Sequence, residues 1–495
     1  MTVGCTKEYG AEAYDEEVDD LLQEAFWSQT EVPEYKVISE ETLTPDQVAE
    51  AVFGSEDSLD SEDLELRDAF LNKCNEEVQK MREEYPDGAP ALLFDRVTFS
   101  YASTDQNGHN IELSAFMGWA VHVILWHTWP YDQNHVLLCC PYTHTLESEC
   151  ATKSNKGLGG GMEFLMMLHD NLFIMPDGQG FGADENHVQT YLNHELHAKQ
   201  YYDALKVGQK IYEDRYGDLE DDWTLRIVGA SQGAGDGIAL HKFLDTNYKK
   251  VDLTQYYDTG MRSIADRLCE KYDYPKGSKF IDVPLCDPHR LEYSYVCCGP
   301  YSPEVTMQTY SEWGQMSYPC VIPLVIKSML ACYPDFLCKE KGYKEEDFFS
   351  QKWNDNKADF DEIYLKKTKD SDELNEYICE KLGISVKDNV PMVPLSCILS
   401  EDMTDPDSQI YKDLMTCLKK QELTSGWTPR TKIKLLFTQN DEVVPYENTK
   451  KLIELFDANK CTCKKLEHSW TDEGHSLKVG HVECCARYIT SEWDW

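Results

Sequence analysis

The chain has 495 residues, with 47 Lys and Arg against 89 Asp and Glu, for a formal charge of −42. Such a surface repels phosphate backbones and anionic membranes, which excludes nucleic acid as a partner and otherwise serves solubility. Apolar residues at 41% and aromatics at 12% exclude disorder and supply a sizeable core, in two or three domains or one large fold with insertions.

Residues 1–92 are acidic, with helical stretches such as "LELRDAFLNKCNEEVQKMREE", and are expected to form an accessory N-terminal extension. The opening "MTVGCTKEYGAEAYDEEVDD" lacks the apolar core of a signal peptide. It is similar to the start of a mature exported lipoprotein, in which Cys5 would carry the lipid. An exported or cell-surface location is therefore set against a cytoplasmic one. No run of about 18 apolar residues is present, so no membrane-spanning helix is expected. Of 19 cysteines, the adjacent pairs Cys139-Cys140, Cys297-Cys298 and Cys484-Cys485 lie in apolar runs, where free cysteine acts as a small buried hydrophobe. "CTC" at 461–463 is not a redox or zinc pattern.

From residue 94 the texture changes. "FDRVTFSYASTD" and "IELSAFMGWAVH" alternate like a hairpin around the turn "DQNGHN". "HVLLCCPYTHT" and "NLFIMPDGQGFGA" are short continuous apolar runs, which suit strands buried on both faces of a parallel sheet. "HVQTYLNHELHAKQYYDALKVGQKIYEDRYG" reads as one long amphipathic helix before the strand "WTLRIVGA". A charged insertion spans 249–290, and the strand "LEYSYVCCGPYSP" follows it. Residues 303–430 read as helical, broken by Pro319, Pro323 and Pro334; "KIKLLFTQNDEVVPYENTKKLIELF" and "CTCKKLEHSW" restore the strand rhythm over 431–495. The expectation is an α/β fold: a mostly parallel sheet with an antiparallel edge, split into a core at 93–302 and 431–495.

"LRIVGASQGAGDGIALHKFL" runs a strand into a helix through Gly-x-Ser-x-Gly, with Gly229, Gly233, Ala234 and Gly235 where the two crowd together. Such a corner strains the backbone and exposes the Ser231 hydroxyl above the sheet. A serine nucleophile needs a base, and the base needs a carboxylate to orient it. Asp441 follows the strand "KIKLLFTQ", with Glu442 as its nearest competitor. His481 follows the last strand, ahead of Val482, Cys485, Ala486, Ile489 and Trp493, whose spacing describes a helix packing that face on the sheet. His481 is preferred as base to His475, which lies in a looser stretch, and to His468, which belongs to the strand. An oxyanion needs two backbone donors, expected from Gln232 and, in the loop after "HVLLCC", from Thr143.

Two other motifs compete. "GQGFGA" (Gly178, Gly180, Ala183) fits a loose dinucleotide fingerprint, but no helix starts at its glycines, so a nicotinamide or flavin cofactor is not expected. "HELH" at 194–197 lacks the paired histidines of a zinc-protease helix and reads as a solvated helix face.

"IVGASQGAG", "IMPDGQGFGA", "CGPYSP" and "NDEVVPYENT…GHVECC" resemble exported α/β-hydrolases of the secretory lipase and esterase group, over roughly residues 94–495. The resemblance implies the α/β-hydrolase fold and hydrolysis of a small-molecule ester or lipid by Ser231, Asp441 and His481, with no metal and no organic cofactor. The spacing from Ser231 to Asp441 exceeds what a core needs, and 303–430 is expected to be a helical cap. A peptidase or amidase of the same fold stays open as the alternative, and a binding protein without chemistry as a third.

Overall fold

The computed structural model describes residues 32–54, 61–124, 127–130, 135–154, 167, 171–217, 219, 223–272, 274–284, 290–385, 393–459, 466–469 and 480–491. Cys5, His475, Trp493 and the 461–463 "CTC" lie outside the described residues.

Seven strands precede Ser231: β1 (Tyr35–Leu43), β2 (Ala91–Thr104), β3 (Asn110–Ile124), β4 (His127–Pro130), β5 (His135–Cys140), β6 (Asn171–Pro176) and β7 (Thr224–Ala230). Beyond it come β8 (Tyr248–Asp252), β9 (Phe280–Pro284), β10 (Leu291–Cys297), β11 (Gln315–Met316), β12 (Val393–Pro394), β13 (Lys432–Phe437) and β14 (Leu466–Ser469). Ten of these form one sheet in the order β1-β2-β3-β6-β5-β7-β10-β13-β14, with β4 on the edge of β3. From β6 to β14 every neighbouring pair is parallel, whereas β1 to β4 join antiparallel. β7, β10 and β13 are buried over most of their length because helices cover both faces, and that is why they read as unbroken apolar runs. β6 lies on one side of β5 and β7 on the other, so the winding reverses at β5. The crevice at the carboxyl ends of strands around such a switch point is where open α/β sheets bind ligands.

Four expectations need correction. Residues 35–84 are not a mere accessory: β1 zips onto β2 from Tyr35↔Tyr101 to Leu43↔Phe94, and Val48, Ala49, Phe70 and Cys74 pack into the core beside Phe94 and Phe116. Most β1 residues are exposed, Glu40 and Glu41 among them, which disguised this edge. The helix expected from His187 starts only at His194, after a turn with Leu192 in the left-handed region at φ 57°. "HELH" is not a solvated face, since His194 and His197 are buried against an aspartate of the next helix. Pro323 does not break a helix but sits in the first turn of Val321–Cys332, where an amide would lack a partner anyway.

The 249–290 insertion contains the antiparallel pair β8–β9 and two short helices around Ile264, Leu268 and Ile281. The helices after Pro303 build a further apolar core, in which Trp353 stacks between Phe349 and Phe360 at centroid distances of 5.1 and 3.9 Å.

Candidate active site

Ser231 stands between β7 and the helix Gln232–Thr246 at φ 53° and ψ −122°. A side-chain-bearing residue held there stores about 1–3 kcal/mol of backbone strain, which the surroundings must over-determine. They do so by close packing. A Cβ on Gly233 would lie 2.2 Å from the carbonyl oxygen of Cys140, and one on Gly229 would lie 2.2 Å from that of Gly233. The Ser231 amide donates to the Cys297 carbonyl at 2.9 Å, tying the corner to β10.

The turn after β13 holds Asp441. Its Oδ1 accepts the amides of Val443 and Val444 at 3.0 and 2.6 Å, leaving Oδ2 to accept from Nδ1 of His481 at 2.8 Å. On the far side of the ring, Nε2 lies 2.9 Å from Ser231 Oγ. Glu442 is not on the ring: its carboxylate accepts the backbone amide of His481 at 3.1 Å, which pins the start of the helix His481–Ser491. Burial works against charge on the His481 ring, but Asp441, and after it Cys485, holds the imidazole well above the ordinary histidine value. In the neutral ring, Nδ1–H is committed to Asp441 and Nε2 carries the lone pair that can take the serine proton.

Ser231 and His481 lie at the wall of a cavity of about 540 Å³, with Asp441 behind the imidazole. Gln232 and Thr143 line the same cavity, and the Thr143 hydroxyl is 3.0 Å from that of Tyr191. The Gln232 amide opens a helix, where backbone N–H groups and the helix dipole favour negative charge. Apolar lining comes from Met307, Val321, Ile322, Val325 and Leu418 in the helices after Pro303. The face of the closing helix differs from expectation. Cys484 and Tyr488 are the residues buried on the sheet, Tyr488 against Tyr295 at 4.7 Å, whereas Val482 is 64% exposed and lines the cavity with Cys485 and Ala486. Both faces of that helix are apolar, so periodicity alone assigned the wrong one to the sheet.

A second buried cluster braces the corner from beneath. Asp236, one turn into the helix that Ser231 starts, accepts from His194 Nδ1 at 2.9 Å, with His197 Nδ1 3.0 Å from the same oxygen. The other nitrogen of His194 faces the Pro300 carbonyl at 3.2 Å. Both of its neighbours are acceptors, a carboxylate and a backbone carbonyl. Burial pushes the Asp236 carboxyl up, but His197 and His194 outweigh it and bring it down to about 2. No residue spacing announced this cluster, because its members come from two helices and a loop. The thiols of Cys297, Cys298 and Cys485, close to His481, escaped notice too; in sequence they look like ordinary hydrophobes.

No protein-family model and no curated sequence matches the chain. Solved structures do. The rice cell wall degrading esterase LipA from Xanthomonas oryzae aligns at a TM-score of 0.58 and 14% identity, over 93% of this chain and 97% of its own. A protein from Legionella pneumophila described as a hydrolase aligns at 0.54 and 14%, over 93% and 96%. Coverage of 93% exceeds what residues 94–495 alone could provide, so the likeness extends into the N-terminal segment that the sequence resemblance left out. At this identity the likeness speaks for architecture. Sheet order, strand–serine–helix corner and these structural neighbours together show that the chain has the α/β-hydrolase fold.

Proposed function

We propose that the protein is a serine hydrolase of carboxylic esters, with Ser231 as nucleophile, His481 as general base and Asp441 as the group that holds the base. The observation carrying this reading is the continuous hydrogen-bond chain from Asp441 through His481 to Ser231 at the wall of an apolar cavity. Nε2 of His481 takes the hydroxyl proton as Oγ attacks the ester carbonyl, and Asp441 stabilises the imidazolium that forms. The oxyanion rests on the backbone amides of Gln232 and Thr143, a single such donor contributing about 3–4 kcal/mol to the transition state. His481 then gives its proton to the departing alkoxide. Water repeats the sequence on the acyl-Ser231 ester and releases the acid.

The helical stretch 303–430 serves in this reading as a cap that selects the acyl or alcohol group, because its apolar side chains line the cavity opposite Ser231. The esterase named among the structural neighbours supports ester over amide chemistry. The test is turnover of p-nitrophenyl esters of rising chain length beside aminoacyl and prolyl amides, with fluorophosphonate labelling of Ser231. Labelling at Ser231 with ester turnover is expected. Labelling with amide turnover alone makes the protein a peptidase or amidase, and no labelling removes the chemistry altogether.

A further inference from the structure

Two pairs of adjacent cysteines, nearly two hundred residues apart, converge behind the candidate base. Cys297 and Cys298 end β10 and start the loop after it, and Cys484 and Cys485 lie in the first turn of the closing helix. The sulfurs of Cys297, Cys298 and Cys485 lie within 4.8 Å of one another, and a second such group joins the Cys298 sulfur to ligand atoms of Asp441 and His481. Cys485 Sγ is 3.8 Å from His481 Nε2, and Cys297 Sγ is 3.7 Å from Cys484 Sγ. Tetrahedral zinc, with Zn–S near 2.3 Å and Zn–N near 2.0 Å, sets S···S and S···N edges of about 3.7 and 3.5 Å. The edge from Cys485 to His481 already stands near that spacing, and the three sulfurs, within 4.8 Å of one another, reach it by side-chain shifts of about 1 Å.

The imidazole is also prepared. A zinc-binding histidine characteristically donates its other ring N–H to a carboxylate, which fixes the tautomer and raises ligand basicity. His481 does this to Asp441 at 2.8 Å. We propose that a thiophilic cation of the zinc class binds Cys297, Cys298 and Cys485 with Nε2 of His481 as fourth ligand, and thereby inhibits the enzyme. Thiolate donors select zinc, cadmium or cuprous ions over magnesium and calcium. Cys485 is partly exposed and lines the cavity, so the ion enters by the route that substrate takes. Binding releases three thiol protons to solvent and leaves three thiolates and a neutral imidazole around the divalent ion. It also takes the lone pair that Ser231 needs, so bound metal and serine activation exclude each other. The inhibitory half rests on the function proposed above; the site itself does not.

The test uses Cd2+, whose thiolate charge-transfer absorption reports sulfur ligation directly. Reduced wild-type protein should take up one equivalent with that absorption and lose ester turnover, and a chelator should restore it. In Cys485→Ser, and in Cys298→Ala with Cys485→Ser, that equivalent should vanish. The half-inhibitory Cd2+ concentration should rise at least tenfold, read as a ratio within each variant so that basal turnover cancels. Ser231→Ala, which has no hydroxyl competing for Nε2, should bind the same equivalent; this arm needs no activity and tests the site even if the serine assignment fails. Should a cysteine variant not fold, one equivalent of Cd2+ must still protect Cys485 of the wild type from iodoacetamide. Unchanged absorption and inhibition in the variants, or an unprotected Cys485, overturns the site. Binding without loss of turnover overturns the inhibition.

Discussion

Two buried imidazole–carboxylate pairs flank the same corner of the chain, and they differ in one neighbour. His481 and Asp441 meet at 2.8 Å, His194 and Asp236 at 2.9 Å, and all four side chains are buried. The second nitrogen of His481 faces a hydroxyl, and the second nitrogen of His194 faces a backbone carbonyl. A hydroxyl can give up a proton and a carbonyl cannot. The first pair can therefore act as a base, whereas the second has no hydroxyl to activate and braces the corner. What separates chemistry from bracing is the third group and the cavity beside it, not the pair.

Removing the hydroxyl side of the comparison should have the largest effect. Ser231→Ala or His481→Ala is expected to lower kcat for a short ester by about 10⁴-fold or more with the thermal unfolding transition kept. A variant retaining a tenth of wild-type turnover breaks the assignment. Asp441→Asn should approach the same loss, about 10⁴-fold, because the amide stabilises the wrong tautomer. A double variant with His481→Ala should lose little more than either alone, and full additivity in the logarithm of kcat would show that the two do not act together.

The brace should fail differently. His194→Ala leaves buried Asp236 with His197 and a long 3.5 Å bond from Gln232 Nε2, and is expected to cost about 3–5 kcal/mol in urea unfolding, while turnover per folded molecule stays within tenfold. Equal stability with lost turnover would reverse the roles of the two pairs. Asp236 also sets a pH signature. Its folded carboxyl sits at about 2, below the unfolded value, so its contribution is present above about pH 4 and lost as pH falls towards 2. His194 and His197 are the titratable groups facing it. Wild type should lose about 2–3 kcal/mol more than Asp236→Asn across that window, and parallel stability curves would remove the carboxylate from the account. The smallest effect is expected in the cavity. Val325→Trp should lower turnover of long-chain esters about tenfold relative to the acetyl ester, and an unchanged chain-length profile would remove this wall from specificity.

Local chemistry made much of this legible in the chain. Continuous apolar runs announced parallel strands because both faces of those strands are covered. The Gly-x-Ser-x-Gly corner at 229–233 was visible because Gly229 and Gly233 have no room for a Cβ. Asp441 was visible because it follows β13 closely, and His481 because it opens the apolar closing helix. β1 was not legible: its residues are largely exposed, and its place at the edge of the sheet rests on backbone pairing with β2, which carries no side-chain signature.

The sequence by itself determined the period of each element, the strained corner and the order of the polar side chains along the chain, since all three follow from neighbours a few residues apart. Tertiary structure decided which polar groups end up opposite one another. It turned the cavity side of the closing helix towards Val482 and Cys485, buried His194 and His197 on Asp236, and drew two distant cysteine pairs together behind His481. A histidine's hydrogen-bond partners lie across the sheet, tens to hundreds of residues away in the chain. Only folding sets that distance, and with it whether an imidazole becomes a base, a brace or a ligand.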